Sequence, residues 1–399
     1  MKRVIIDCRE DLINTALTED GELIEVISSE KGKKLNIGDI YAGKIKRILK
    51  SGFAFVDLGD DRNAFLYLKD KKERNLWEGE RLKIKEGQDI IVQVVREAEN
   101  EKGAAVTTAL SAGENCCIVS VGGGDVRISR KITDEDRRRA LKELFSKEIF
   151  SGFDIIVRTK AETLPLEEVL SEAAASVEKI RKIKEVGEYR KAPVCLYEGD
   201  GETLRAVKAF AEDGNIQIVT NNCDDYYKYI DPNRIFKADL YEGEIPVFKE
   251  YFIENKIKKA LSPKVWLKSG GWLIIENTEA MVVIDVNSGK NNAKSHEETV
   301  FKTNKEAAEE ILKQLRLRNL SGMIIIDFIN MKSYENNMAI VKILEEKAKK
   351  DRVSVTVAGM TELGLVLMTR KKTGLPLKSH LTKPCPHCGG KGYISKLES

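Results

Sequence analysis

Two apolar runs that each close on an acid constrain this chain most: Met281-Val-Val-Ile-Asp285-Val-Asn287-Ser-Gly and Met323-Ile-Ile-Ile-Asp327-Phe-Ile-Asn330-Met. Between them, from Ser295 to about Arg318, the sequence reads as one long helix opened by a Ser295/Glu298 capping box. Strand, helix and strand in that order predict two parallel neighbours. Ligands bind at the carboxyl ends of strands in such sheets, so Asp285 and Asp327 are expected on the same side of the sheet. A single acid there would read as a strand or turn cap, but two anions held close repel, and a divalent cation is the usual compensation. Magnesium suits a site with few protein carboxylates, because water and phosphate oxygens complete its octahedron; it activates water and stabilises an in-line phosphodiester displacement. Asn287 reads either as the partner that orients Asp285 or as a turn residue before Ser288-Gly289.

The same α/β rhythm extends around this pair. A hairpin over 265–276 turns at Ser269-Gly270-Gly271, a helix covers 334–350 and a strand 353–357, and residues 195–262 alternate helix and strand. Nearer the N-terminus the texture differs. After two short strands, 4–6 and 23–27, around a turn at Asp20-Gly21, five β runs (40–48, 53–58, 64–68, 89–95 and 104–110) suggest a small closed barrel of the OB type. Lys44, Lys46, Arg47 and Lys50 lie near its start, and Phe53, Phe55, Phe65 and Tyr67 alternate along its strands. Rings beside cations are what single-stranded RNA binding needs, since bases stack and phosphates are neutralised; Phe53 reads instead as barrel core. Residues 116–121 form a β segment, a charged helix opens at Thr133 with Asp136 in capping-box position, and a strand covers 153–159. A long helix follows Pro165 to about Tyr189. At 399 residues the chain exceeds one ordinary core, so two to four structural units are expected.

Charge narrows the function classes. With 67 basic and 64 acidic residues the net charge is only +3, so any nucleic-acid surface must come from local clustering. No stretch approaches the ~18 apolar residues of a membrane span, and the start is too short in apolar residues for a signal peptide. Of seven cysteines five are scattered, which argues against a disulfide framework and for a reducing cytoplasm. The other two form Pro384-Cys385-Pro-His-Cys388-Gly-Gly-Lys-Gly-Tyr, which resembles a zinc knuckle whose glycines permit a tight turn around the thiolates. Two ligands are half of what structural zinc takes; His380 or His387 would complete a site within one chain. A redox role lacks the βαβ context of a thioredoxin motif.

The residues together resemble the ribonuclease E/G family. The likeness runs through Ile156-Val-Arg-Thr, Tyr241-Glu-Gly-Glu-Ile-Pro, Ile284-Asp-Val-Asn-Ser, Glu297-Glu-Thr, Thr303-Asn, Glu306-Ala-Ala, Gln314-Leu-Arg-Leu-Arg, Ile326-Asp-Phe-Ile and the Cys-Pro-His-Cys tail, in family order over nearly the whole chain. It implies a cytoplasmic endoribonuclease of RNA processing, including ribosomal RNA, and of messenger decay, cutting single-stranded, often A/U-rich sites and leaving a 5′-phosphate and a 3′-hydroxyl. The implied fold is a multidomain α/β one. An RNase H-like unit (1–36 and 195–265) carries an inserted OB-fold RNA-binding barrel (37–114) and a 5′-sensor region (115–194). A DNase I-like catalytic unit (266–378) and a zinc-link tail (379–399) follow. The family's metal-binding acids and supporting Asn fall on Asp285, Asp327 and Asn287, its RNA contacts on Phe55, Phe65 and Lys102. Its 5′-monophosphate pocket falls on Arg158 and Thr159, with Arg130 and Gly113 lining it. One zinc is shared between two protomers, Cys385 and Cys388 from each, giving a homodimer that can join an RNA-decay assembly.

Two departures qualify the likeness. Only seven residues follow Gly392, so the family's C-terminal small domain, which pairs dimers into tetramers, is missing and a dimer is expected. A further pocket Arg is replaced by Ser354, which predicts weaker phosphate sensing. The alternative from another class is a non-catalytic RNA-binding or ribosome-assembly protein; the paired acids argue against it.

Overall fold

The computed structural model describes residues 1–32, 35–68, 76–77, 80–81, 84–98, 102–113, 115–212, 214–289, 296–383, 385–388, 390 and 392. The chain divides into two compact units, Met1–Gly32 with Thr203–Ser399 and, between them in sequence, Lys33–Glu202.

The first unit contains two sheets. In one, Lys2–Cys8, Leu12–Glu19 and Glu22–Glu30 form an antiparallel meander, and Ile216–Thr220 and then Ala238–Leu240 extend it in parallel from Lys2–Cys8. The expected turn at Asp20-Gly21 is present, with φ of 50° and 81°, the paired positive values a tight hairpin turn requires. Leu12–Glu19 is a strand the sequence reading missed. Residues 13–18 are all buried, so Asn14, Thr15 and Thr18 sit inside and no polar alternation marks the strand. Both faces of the sheet are covered: Val4 and Ile6 pack on Leu204, Val207, Phe210 and Tyr226, while Ile5, Ala16 and Val219 pack with Val247, Phe248, Ile253 and Leu317. Glu25, 4% exposed, ties this sheet to the rest of the unit by accepting from Arg316 Nε at 3.0 Å and Arg352 Nε at 2.9 Å.

The second sheet has the order Lys264–Trp266, Trp272–Asn277, Met281–Asn287, Gly322–Asp327, Leu365–Arg370, Val355–Met360. Met281–Asn287 and Gly322–Asp327 are parallel, as expected, and the helix His296–Leu317 joins them. That helix and Tyr334–Ala348 bury Ala307, Ile311, Leu315, Ile340 and Leu344 against Leu273, Val282, Ile284, Ile324 and Ile326 on one sheet face. Ser295 of the expected capping box lies outside the described residues. Leu365–Arg370, also missed from sequence, inserts antiparallel between Gly322–Asp327 and Val355–Met360. Its run Leu-Val-Leu-Met-Thr-Arg is apolar on both faces, so periodicity gave no warning.

In the second unit, Ile40–Leu49, Phe53–Asp57, Ala64–Tyr67, Ala105–Thr107 and Asp89–Arg96 close into the expected five-stranded barrel through the pairing of Ile40–Leu49 with Asp89–Arg96. Gly43 lets Ile40–Leu49 approach the next strand closely, since a Cβ there would lie 2.5 Å from Leu58 and 2.6 Å from Val56. Val194–Tyr197 adds to the start of Ile40–Leu49. Ser111–Ala112, Cys117–Val121, Phe153–Val157 and Val126–Ile128 form a four-stranded sheet, onto which Leu166–Glu188 packs through Val169, Ala173, Val177 and Ile180. The charged helix Glu135–Leu144 is capped by Asp134, which accepts from the N–H groups of Asp136 and Arg137, and not by Thr133 as the sequence suggested.

Candidate active site and nucleic-acid interface

Asp285 and Asp327 are register partners on adjacent parallel strands. Side chains alternate across a sheet, and Ile284 and Ile326 are fully buried beneath, so both carboxylates stand on the opposite, exposed face about 4.8 Å apart at the backbone. Asn287 shares that face, and its Nδ2 donates to Asp285 Oδ2 at 2.8 Å, the orienting contact rather than an isolated turn. Two exposed carboxylates, one fixed by an amide, match the donor set of a magnesium ion that keeps water and substrate oxygens in its remaining positions.

Several residues without an assigned role hold this arrangement. Asn304, fully buried, donates from Nδ2 to Ile329 O at 2.8 Å and accepts from Ile329 N–H at 3.1 Å, pinning the backbone two residues after Asp327. Glu297, two helical turns earlier, accepts from Lys332 N–H at 3.0 Å and Ser333 N–H at 3.2 Å, and the Ser333 contact leads in holding its carboxyl below the usual range. Glu306 accepts from Ser269 N–H at 2.9 Å and from Lys268 N–H; burial pushes its carboxyl up, but these donors outweigh that and leave it lowered. They fix the Ser269-Gly270-Gly271 turn against the active strand, where a Cβ at Gly271 would lie 2.6 Å from Asn287 O and one at Gly289 2.2 Å from Gly270 O. These acids and the Asn belong to the stretches Glu297-Glu-Thr, Thr303-Asn and Glu306-Ala-Ala of the family likeness, and their backbone contacts give those stretches a physical role.

On the barrel, Phe55 and Phe65 are register partners with ring centroids 6.1 Å apart. Phe53 joins them at 4.7 Å from Phe65 and 5.0 Å from Tyr67. The interior is filled by Ala54, Val56, Ala64 and Leu66, so the expectation that Phe53 is core is wrong: alternation carries it outward with the other three rings. Arg47, exposed, stands opposite Phe55 and extends the row. Lys102, also exposed, precedes the strand whose Ala105 is paired with Phe65. Lys46 is held by Asp57 at 3.0 Å.

At one end of the four-stranded sheet, the pairing of Ile128 with Val157 brings the segments Ser129-Arg130 and Arg158-Thr159 side by side, with Ser129 Oγ 3.0 Å from Thr159 Oγ1. Arg158 N–H donates to Cys116 O at 2.8 Å, which places Gly113 at the same end; a Cβ there would lie 2.3 Å from Cys117 O. Arg130, Arg158 and Thr159 are exposed. Ser354 lies in the other unit, exposed, with its carbonyl accepting from Lys371 N–H at 2.9 Å.

Cys116, Cys117 and Glu172 place their ligand atoms within 4.8 Å of one another. Burial pushes the Cys116 thiol up to about 11 and the Cys117 thiol higher still. Glu172 already accepts the N–H groups of Asn115, Cys116 and Cys117 at 2.9, 2.9 and 3.2 Å. Burial raises its carboxyl, but those donors prevail and it stays ionised. The cluster is therefore satisfied as a structural lock. Cys385 and Cys388 differ: both are accessible, the N–H groups of Cys388 and His387 lower the Cys385 thiol, and Gly392 N–H donates to Cys388 Sγ at 3.3 Å. Such N–H···S contacts favour thiolates, the form in which cysteines could hold a metal. Pro384, Gly389, Lys391 and Tyr393 of that motif lie outside the described residues.

A barrel with aromatic rings outside and an α/β unit bearing paired acids at its strand ends are suited to an enzyme that cleaves nucleic acid. The chain belongs to the ribonuclease E/G family, whose model matches residues 112–373, and is an endoribonuclease acting on RNA. It is 34% identical to ribonuclease G of Salmonella typhimurium over 95% of this chain and 82% of that protein. It is 36% identical to ribonuclease G of Haemophilus influenzae over 96% and 82%. With ribonuclease E of Escherichia coli it shares 34% over 100% of this chain and 39% of that protein. No helix among the described residues is long and apolar enough to cross a membrane.

Proposed function

We propose that this endoribonuclease cleaves single-stranded, A/U-rich RNA in a magnesium-dependent reaction at Asp285 and Asp327, leaving 5′-phosphate and 3′-hydroxyl ends. The observation that carries this reading is the register pairing of the two acids on the exposed sheet face, with Asn287 bonded to one of them. Bound magnesium would supply charge neutralisation at the phosphate and activation of water. The chain's own part is positional. Asn287 fixes the Asp285 carboxylate, Asn304 and Glu297 fix the backbone that follows Asp327, and Glu306 with Gly271 fixes the turn beside Asn287. Phe55 and Phe65 stack on bases while Lys102 and Arg47 meet phosphates. Arg158, Thr159, Arg130 and Gly113 receive a 5′-monophosphate, a planar guanidinium fork being suited to it.

The antiparallel meander extended by two parallel strands supports an RNase H-like unit that resumes at Thr203 rather than at the expected 195, because Val194–Tyr197 pairs with the barrel strand Ile40–Leu49; the barrel (37–114) and the sensor region are inserted in it. The mixed six-stranded sheet with helices on one face supports a DNase I-like catalytic unit (266–378) before the zinc-link tail (379–399). Cys385 and Cys388 bind zinc shared with a second protomer, so the working form is a cytoplasmic homodimer engaged in RNA processing, ribosomal RNA included, and messenger decay, where it can join a decay assembly. The test is direct. Purified protein is incubated with a 5′-labelled A/U-rich oligoribonucleotide with and without magnesium; cleavage only with metal supports the reading, and equal cleavage in chelator refutes it.

A further inference from the structure

We propose that Trp266, Trp272 and Lys264 form a base-stacking subsite that grips the RNA strand beside the acidic pair. The inference rests on Asp285 and Asp327 being the catalytic centre. Register links the two directly. Lys264 pairs with Ile274, Ile274 with Asp285 and Asp285 with Asp327, one continuous row across four strands. In the adjacent row Trp266 pairs with Trp272 and Trp272 with Asn287, the residue that orients Asp285. Leu273 and Ile275 occupy the buried face, so alternation commits both tryptophans to the face of the carboxylates.

Packing does not account for these rings. Trp266 sits on the edge strand and is 65% exposed, although a ring of this size is normally placed where its apolar surface is covered. The two rings meet edge-on at 5.6 Å between centroids. The Lys264 ammonium lies 3.9 Å from the Trp266 centroid and 4.2 Å from that of Trp272, with no carboxylate partner among the described residues. Flat π-faces beside a cation that no carboxylate neutralises are the recognition elements for a base and its phosphate. The platform is also held in place, because Glu306 and the tight approach of Gly271 to Asn287 O fix the hairpin that carries it. Two strand spacings of about 4.8 Å separate Lys264 from Asp285, a distance of about three stacked nucleotides. The barrel rings bind RNA elsewhere on the chain; this subsite sets the position of the nucleotides next to the cleaved bond.

The experiment combines kinetics and fluorescence. In a Trp77→Phe background only Trp266 and Trp272 emit, and an A/U-rich decaribonucleotide should quench them in the full-length protein. Trp266→Ala should raise KM about tenfold with kcat within about twofold, as expected for loss of one stacking contact. Trp266→Phe should recover most of the loss, and melting curves should match because the ring is exposed. An unchanged KM in Trp266→Ala, or absence of quenching, overturns the subsite while the catalytic assignment stands. If Asp285→Asn still cleaves, the centre itself is elsewhere and the subsite falls with it.

Discussion

Replacing Asp285 by Asn separates a catalytic acid from a structural one. The paired strands set the two carboxylates about 5 Å apart, where two unit charges repel by roughly 0.8 kcal/mol in water and about 3 kcal/mol at an effective dielectric of 20. Both side chains are exposed, so solvent screening selects the lower figure. Asp285→Asn removes that repulsion and keeps an oxygen for Asn287 to bond, so in low salt without divalent ions the melting temperature should stay level or rise by about 2 °C. Cleavage should fall by ~10² or more, ~2.7 kcal/mol, because a charge-stabilising group is lost where negative charge develops. RNA affinity should stay within a few fold, since stacking and phosphate contacts lie on other strands. Single-turnover cleavage of a labelled oligoribonucleotide, anisotropy binding in chelator and thermal melts read the three quantities. Near-normal cleavage would refute the site. Lost cleavage with a melting temperature lowered by many degrees would show that the acid caps a strand end, and the catalytic reading would fail.

The other surfaces give sharper contrasts. Phe55→Ala and Phe65→Ala should each weaken single-strand binding by ~1–3 kcal/mol without unfolding the barrel, whose core is Ala54, Val56, Ala64 and Leu66; unfolding by either change would refute the outward placement. Metal analysis should give half a zinc per chain in a dimer, and Cys385→Ser with Cys388→Ser should release it and favour monomer; one full zinc per monomer would sink the shared site. Parent enzyme should cleave 5′-monophosphorylated RNA faster than 5′-hydroxyl RNA, modestly given Ser354, with the preference lost in Arg158→Ala; equal rates in the parent would mean that no sensor operates. Glu25→Gln should destabilise by about 3 kcal/mol in denaturant titrations, because it removes the buried negative charge that faces the guanidiniums of Arg316 and Arg352, 21% and 17% exposed; a change below half a kcal/mol would show the cluster to be screened.

Much of this protein was legible from sequence because its signals are local. Each apolar run ending in an acid announces a strand and its ligand end, the intervening helical stretch announces parallel neighbours, and Asp20-Gly21 announces a tight turn. Five short strands with alternating rings announced the barrel, and the motif series announced the family. Leu12–Glu19 escaped because both of its faces are covered, which erases the alternation that marks a half-buried strand; Leu365–Arg370 is half-buried, but its exposed face carries Leu367 beside Thr369, so the sequence itself does not alternate. Phe53 was misplaced for a related reason: a large ring defaults to the core, and only the register that fills the barrel with Ala54 and Val56 turns it out to join Phe65. Asn304 and Glu297 stood in the motif series without a role, because only the fold brings the backbone after Asp327 against them. The row from Lys264 to Asp327 joins residues more than sixty positions apart, and hydrogen-bonded register across four strands, a property of the assembled sheet, is what aligns them.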